Sequence, residues 1–267
     1  MPELPEVETI VRSLRPRIVK RRIDAVRILR ADIVQPPDIA LDSKILRRTI
    51  VHLHRRGKKI VFELEDAARF YIHLGMTGRL TIDRPDAPVQ PHTHLILQIG
   101  QAELRFVDPR RFGGVFWLGT DGRPDTGLGP EPLEITAKQL ARRLSKTRRA
   151  IKTALLDQKM LAGLGNIYAD ESLFSAGIDP RIPANKLSMP QIARLSRSIK
   201  SVLNRAIRHR GSTLRDYRDA DGRPGDFQKV HRVYDREGKP CANCGQPIVR
   251  MVLGGRSTHF CATCQRR

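Results

Sequence analysis

Between residues 5 and 14 the apolar positions Val7, Ile10, Val11 and Leu14 recur at i, i+3, i+4 and i+7, the spacing of a helix with one buried face. Pro5 is tolerated in the first turn of such a helix, which would pin the N-terminus against a core. From about residue 18 to 118 the period changes to two. Ile60, Phe62 and Leu64, then Leu95, Leu97 and Ile99, then Leu104 and Phe106 read as strands. Turn residues separate them, at Gly75, Gly78, Pro85, Pro88, Pro91 and Pro109, which predicts an antiparallel sandwich rather than a parallel sheet. Residues 119–132, GTDGRPDTGLGPEP, hold few core residues and read as a linker. Helical periodicity then returns over about 136–145, 148–161, 166–176 and 190–209, ahead of a polar stretch at 215–229. The expected organisation is α+β and multi-domain: a β-sandwich over 1–118, the linker, a helical domain over 133–230 and a small module over 231–267. No internal repeat or long low-complexity tract interrupts it.

Charge narrows the class of partner. The 267 residues carry 49 Lys and Arg against 28 Asp and Glu, a formal net charge of +21. Charge of that size repels itself unless a polyanion relieves it, which makes nucleic acid the leading partner. The basic residues are spread along the whole chain rather than gathered on one amphipathic helix, which argues against a membrane surface. Glu3, Glu6, Glu8, Arg12 and Arg15 leave no apolar stretch for an export signal, and no uncharged stretch reaches the roughly 18 to 20 residues that would span a bilayer. A cytoplasmic protein of bacterial type or a nuclear one is expected.

The four cysteines are confined to the C-terminal module, as Cys241-x-x-Cys244 and Cys261-x-x-Cys264 separated by sixteen residues. That spacing suits four thiolates around one tetrahedral zinc ion, and in an intracellular protein it favours metal over disulfides. A segment this short cannot bury enough apolar surface to fold alone, so the metal would supply its folding free energy. Four thiolates leave no coordination position for water, so the expected zinc is structural. No redox or nucleotide cofactor is expected. Gly254, Gly255 and Arg256 fall where the hairpin should turn, and Arg256 has two readings, a DNA-phosphate contact or a solvated side chain.

PELPEVET follows Met1, and removal of that methionine would expose Pro2 as a free secondary amine. Condensed with an aldehyde, such an amine gives an iminium that has no N–H proton to lose and stays an electron sink, which favours elimination. The alternative is that Pro2 and Pro5 only stiffen the entry to the helix.

PELPEVET, RRGK at 55–58, HLGMTG at 73–78, DPRRFGG at 108–114, GLGNIYADE at 163–171 and the terminal GGRSTHFCATC together resemble, in order and end to end, the formamidopyrimidine-DNA glycosylase family of bacterial repair enzymes. The resemblance implies a β-sandwich domain, a helical domain with a helix-two-turn-helix element and a zinc β-hairpin, with double-stranded DNA containing oxidised bases or abasic sites as partner. It also implies removal of oxidised purines followed by β,δ-elimination, in the bacterial cytoplasm at the nucleoid; a monomer suits this work. Pro2 would attack the anomeric carbon, Glu3 would handle protons during ring opening and Schiff-base formation, and Lys58 would stabilise the phosphate leaving groups. Lys59, its neighbour on a strand, would face the other way. Glu6 would orient the site or simply favour the helix dipole.

A base must leave the duplex before its sugar can be attacked, and the resemblance assigns the resulting gap to Met76, Arg110 and Phe112. From the residues alone, Met76 and Phe112 read as core, and the motif match turns that reading around. His73 and Asn166 would contact DNA phosphate, Asn166 at a glycine-rich helix start, and Arg256 would serve both the reaction and DNA binding. The stretch 213–229 resembles the family's mobile loop over the flipped base. Two other readings remain: an endonuclease VIII-type enzyme for oxidised pyrimidines, against which Leu4 and Val7 speak, and a catalytically silent damage sensor, against which Pro2, Glu3 and Lys58 speak. His259 stands where the family often carries another aromatic residue.

Overall fold

The computed structural model describes residues 2–214 and 217–266. The chain forms two compact units, one made of the residues up to Thr126 together with His209–Asp226, the other of Gly127–Arg208 and the residues from Phe227 onward.

The first unit opens with helix α1 (Leu4–Ile18), and the four residues that predicted it, Val7, Ile10, Val11 and Leu14, are all fully buried. Burying a side chain of this size contributes about 1.5–3 kcal/mol, so this face anchors the N-terminus firmly. The helix runs one turn beyond the expected end, through Pro16, and stops where Lys20 turns left-handed at φ 65. Short strands β1 (Arg21–Arg22), β2 (Ala25–Ile28) and β3 (Val34–Gln35) and helix α2 (Leu41–Ile45) lead into β4 (Thr49–Arg56), β5 (Lys59–Leu64), β6 (Arg69–His73), β7 (Arg79–Asp83), β8 (Thr93–Ile99), β9 (Ala102–Val107) and β10 (Gly114–Gly119). They form a six-stranded sheet, β1-β4-β5-β6-β10-β3, and a four-stranded sheet, β2-β8-β9-β7. Ile60, Phe62 and Leu64 from one sheet, Leu95, Leu97, Leu104 and Phe106 from the other, and the apolar face of α1 share a single core. The alternation that predicted these strands is therefore the alternation that fills the sandwich. One pair departs from the antiparallel expectation: β10 and β3 run parallel, with Val115 opposite Val34.

Residues 120–136 carry no helix or strand. In the second unit Thr136 caps α3 (Ala137–Leu144) by a reciprocal capping box with Gln139. Helix α4 is shorter than its sequence pattern, Ile151–Leu156 rather than 148–161. Polar side chains end it: Asp157 accepts the Lys159 N–H, while Gln158 bonds the Leu156 and Leu164 carbonyls and the Gly163 N–H. Those bonds build the two turns that connect α4 to α5 (Asn166–Ala176), which Gly177 terminates in a left-handed C-cap. Helix α6 spans Met189–Arg208, and the hairpin β11 (Val249–Leu253) and β12 (Arg256–Phe260) ends the unit.

The sequence pattern assigns 209–226 to the helical domain, yet the segment packs with the sandwich. Ala220 accepts the Ile82 N–H at the outer edge of β7, Tyr217 joins the core, and Asp221 pairs with Arg17 of α1. Of the stretch expected to be mobile, Arg215 and Asp216 lie outside the described residues.

Candidate active site and nucleic-acid interface

Pro2, Glu3 and Glu6 are all buried at the head of α1. Glu6 is the organising group. Its Oε2 accepts the Glu3 N–H at 2.8 Å, its Oε1 accepts the Ser212 N–H at 2.7 Å, and its own carbonyl accepts the Tyr217 hydroxyl at 3.2 Å. Burial first, and then the Glu6 charge, push the Tyr217 phenol well above its ordinary pKa, so this hydroxyl remains a donor. The Glu3–Glu6 contact is a helix capping box, and the same Glu6 carboxylate also ties the head of α1 to the 209–226 segment through Ser212.

Lys58 does not lie within a strand. Gly57, left-handed at φ 58, and Lys58 form the two-residue turn between β4 and β5, with Arg56 opposite Lys59. The strand-alternation argument separating the two lysines therefore does not apply. Lys59 donates to the Pro124 carbonyl at 2.8 Å and lies 4.4 Å from the Tyr71 ring centre. Burial lowers its pKa, as does Arg56, with Asp125 opposing.

His73 ends β6 opposite Lys59. Burial lowers its pKa, and the charges of Lys58 and Lys59 lower it further. Its Nδ1 accepts the Gly75 N–H at 3.2 Å, so a neutral ring carries its proton on Nε2 as an available donor. Beyond it, Met76 is 43 % exposed and Phe112 is 56 % exposed, which removes the core reading for both. The Arg110 guanidinium lies 4.6 Å from the Phe112 ring centre, on the same loop.

In the second unit, Asn166 begins α5 and donates to the Ser257 carbonyl at 3.0 Å, bringing the helix start against the strand that Arg256 opens. Gly254 and Gly255, at φ 57 and 74, make the hairpin turn, and Arg256 is the exposed first residue of β12. Two groups that sequence reasoning missed hold this strand. Lys152, fully buried, donates to the Ser257 carbonyl at 2.6 Å and the Thr258 hydroxyl at 2.9 Å, and Asp170 accepts the His259 N–H at 2.9 Å. Glu171 accepts the N–H groups of Arg232, Val233 and Tyr234, a backbone nest at the entry to the hairpin module. The available signal was a lysine set among the buried positions Ile151, Ala154 and Leu155.

The sulfur atoms of Cys241, Cys244, Cys261 and Cys264 all lie within 4.8 Å of one another, with Cys241–Cys264 at 3.9 Å and Cys244–Cys261 at 3.5 Å. Zinc–sulfur bonds of about 2.3 Å in a tetrahedron put neighbouring sulfurs roughly 3.8 Å apart, so the four thiolates fit the ion.

The chain thus combines strong basic charge with an exposed methionine and phenylalanine beside Arg110 and Arg111, and an exposed arginine on a hairpin whose four thiols can hold zinc. Three family models match: the formamidopyrimidine-DNA glycosylase N-terminal domain over residues 1–115, the H2TH domain of the same enzyme over 128–218, and the zinc finger found in FPG and IleRS over 238–267. The formamidopyrimidine-DNA glycosylase of Desulfitobacterium hafniense is 44 % identical over 272 residues, 99 % of this chain and all of that one. That of Moorella thermoacetica is 47 % identical over 260 residues, 94 % of each chain. Among solved structures, a Lactococcus lactis FPG variant in complex with a Fapy-dG containing DNA superposes with a TM-score of 0.92 at 36 % identity, covering both chains completely. The MutM (FPG) protein of Thermus thermophilus gives 0.89 at 41 % identity over 99 % of this chain and 98 % of that one. The chain belongs to the formamidopyrimidine-DNA glycosylase family, and its hairpin is a structural zinc finger.

Proposed function

We propose that this chain is a bifunctional DNA glycosylase and AP lyase of base-excision repair. It removes oxidised purines, 8-oxoguanine and formamidopyrimidines, from double-stranded DNA and then cuts the strand by β,δ-elimination. The observation that carries the reading is the buried head of α1, where Glu6 holds the Glu3 backbone and the Ser212 N–H on one carboxylate beside Pro2.

In this reading the Pro2 nitrogen bonds to the anomeric carbon as the glycosidic bond breaks, and the electron pair leaves with the base. Ring opening yields an iminium, with Glu3 moving the proton on the sugar oxygen. Loss of the C2′ proton sends its bonding electrons into the iminium and the 3′ phosphate is expelled, loss of the C4′ proton then expels the 5′ phosphate, and Lys58 and Arg256 stabilise the charge on the departing groups. His73, donating from Nε2, and Asn166 at the start of α5 contact phosphate, while Met76, Arg110 and Phe112 fill the gap. The zinc shapes the hairpin and takes no part in the chemistry.

The division of labour that suits this reading is a catalytic sandwich over 1–118, a linker over 119–132, a DNA-binding helical domain over 133–230 and the zinc hairpin over 231–267, working as a monomer. The segment 209–226 then serves the catalytic unit although helical-domain sequence flanks it. The relatives are bacterial proteins, and a DNA substrate suits action in the bacterial cytoplasm, at the nucleoid; no described helix is long and apolar enough to cross a membrane.

Borohydride reduction tests the reading. Protein with Pro2 at its amino terminus should be trapped covalently on duplex DNA containing 8-oxoguanine, and far less on DNA containing an oxidised pyrimidine. Absence of a trapped species, or equal trapping by protein carrying extra residues ahead of Pro2, would refute it.

A further inference from the structure

Asp108 lies just beyond β9 and is fully buried, and each of its polar atoms has a partner. Oδ1 accepts the Thr77 hydroxyl at 2.6 Å and Oδ2 accepts the Gly113 N–H at 2.8 Å. Its own N–H donates to the His92 carbonyl, and its carbonyl accepts the Arg111 N–H and lies 2.8 Å from His94 Nε2. Thr77 follows Met76 and Gly113 follows Phe112, so one carboxylate spans the two loops that carry the exposed apolar residues. The Thr77 oxygen also accepts the Arg110 N–H at 3.3 Å, which adds the third gap-filling residue to the same network.

The loops are also in backbone contact. A Cβ on Gly75 would lie 2.4 Å from the Gly113 nitrogen, and one on Gly113 would lie 2.5 Å from the His73 carbonyl oxygen. Between Arg110 and Phe112, Arg111 is held left-handed at φ 55, a conformation a non-glycine residue keeps only when its surroundings impose it. The Asp108 bond to Gly113 closes the loop across that residue.

We infer that Asp108, acting through Thr77 and Gly113, is the positioning residue that holds Met76, Arg110 and Phe112 as one preassembled wedge before a nucleotide leaves the stack. The inference rests on the gap-filling reading of those three side chains. On two independent loops, each side chain would have to be ordered while the base pair opens, and that entropy would add to the barrier of extrusion. A buried carboxylate with donors on both loops removes the cost beforehand, as preorganisation does elsewhere. The bonds of the clamp run between the loops of Met76 and Phe112, which assigns it to extrusion and not to the chemical steps.

The test compares single-turnover excision of 8-oxoguanine paired with cytosine against excision of the same lesion opposite a tetrahydrofuran abasic analogue, where no pair must be opened. Thr77→Val should lower the ratio of paired to unpaired rate about tenfold, or about 1.4 kcal/mol, the scale of one lost hydrogen bond. Thr77→Ser, which keeps the hydroxyl, should restore the ratio to within about twofold. Phe112→Ala should lower the ratio as well. An unchanged ratio in Thr77→Val beside a lowered one in Phe112→Ala would overturn the clamp and leave the gap-filling reading standing. An unchanged ratio in Phe112→Ala would overturn that reading and the clamp with it. Equal slowing of Thr77→Val on both substrates would mark general loss of structure and equally overturn the assignment.

Discussion

Lys152 Nζ lies 2.7 Å from Asp170 Oδ1, and both side chains are fully inaccessible to solvent. The pair joins α4 to α5, and each partner also bonds β12, Lys152 through Ser257 and Thr258 and Asp170 through the His259 N–H. Removing one member of a buried pair strands the other charge, which costs about 3–5 kcal/mol. Lys152→Met should therefore lower the unfolding free energy by about that amount in urea titrations. It should also weaken DNA binding, because the strand it releases begins at Arg256. Wild-type stability would show that the pair contributes nothing net.

His231 gives the protein a defined acid sensitivity. Burial depresses its pKa to about 4, with Arg236 and His259 adding to the depression and Tyr234 and Asp235 opposing it. The folded form holds the ring neutral while the unfolded chain protonates it near pH 6.5. Stability from this group is thus complete above pH 6.5 and falls as the pH drops from there toward about 4. Between pH 6.5 and 5.5 the slope approaches about 1.4 kcal/mol per pH unit for one proton. Urea titrations of wild type and His231→Asn across that interval should differ by most of this slope. Parallel pH dependences would mean that His231 does not set the sensitivity.

Zinc removal separates the hairpin from the rest of the second unit. The helices bury Leu155, Tyr168, Leu173, Leu195 and Leu203, whereas the hairpin module has only a small apolar cluster, Phe174, Val233 and Ile248 with Cys241 and Cys261, and depends on its four thiolates as well as on the bonds from Lys152 and Asp170. Chelation confirmed by metal analysis should abolish specific DNA binding while leaving most helical circular dichroism. Full binding by metal-free protein would contradict a folding role for the ion.

Arg256 is exposed on β12 beside the turn, and one phosphate contact contributes about one counterion to the salt dependence of binding. Arg256→Ala should weaken binding across sequences and reduce the slope of log K against log salt by about one. An unchanged slope would return Arg256 to the status of a solvated side chain.

What could be read in advance follows from how local each signal is. The buried face of α1 and the strands around Phe62 and Phe106 follow from period alone, because burial repeats with the backbone. The four cysteines are legible because metal geometry restricts spacing. Met76 and Phe112 are not legible from periodicity, since an exposed and a buried apolar residue look alike in sequence, and only the motifs around them suggested a surface role. The motif singles out Lys58, but strand alternation does not place it, because a two-residue turn interrupts the period there. Lys152, Asp170 and Glu171 act on residues 61 to 106 positions away, and no local pattern carries a contact of that kind. The same holds for 209–226, whose place beside the sandwich depends on Glu6 and Ile82.

Gly211 is where that distant packing becomes testable at one atom. Its φ is +78, and a Cβ there would lie 2.6 Å from Glu6 Oε1 and 2.8 Å from Glu6 Cγ. Glu6 cannot give way freely, since the same carboxylate holds the Ser212 and Glu3 N–H groups. The carbonyl of Gly211 is itself crowded from the other side, where a Cβ on Gly225 would come within 2.3 Å of its oxygen. Gly211→Ala must therefore shift either the segment or the Glu6 carboxylate, in addition to placing alanine in a left-handed conformation. The stability cost should be about 1–3 kcal/mol, seen as a lower urea midpoint. The loss in single-turnover excision should exceed what the remaining folded fraction explains, because the displaced carboxylate is the one that fixes the backbone of Glu3. A variant that unfolds more easily yet excises at the wild-type rate per folded molecule would show that Glu6 supports the fold without positioning the head of α1.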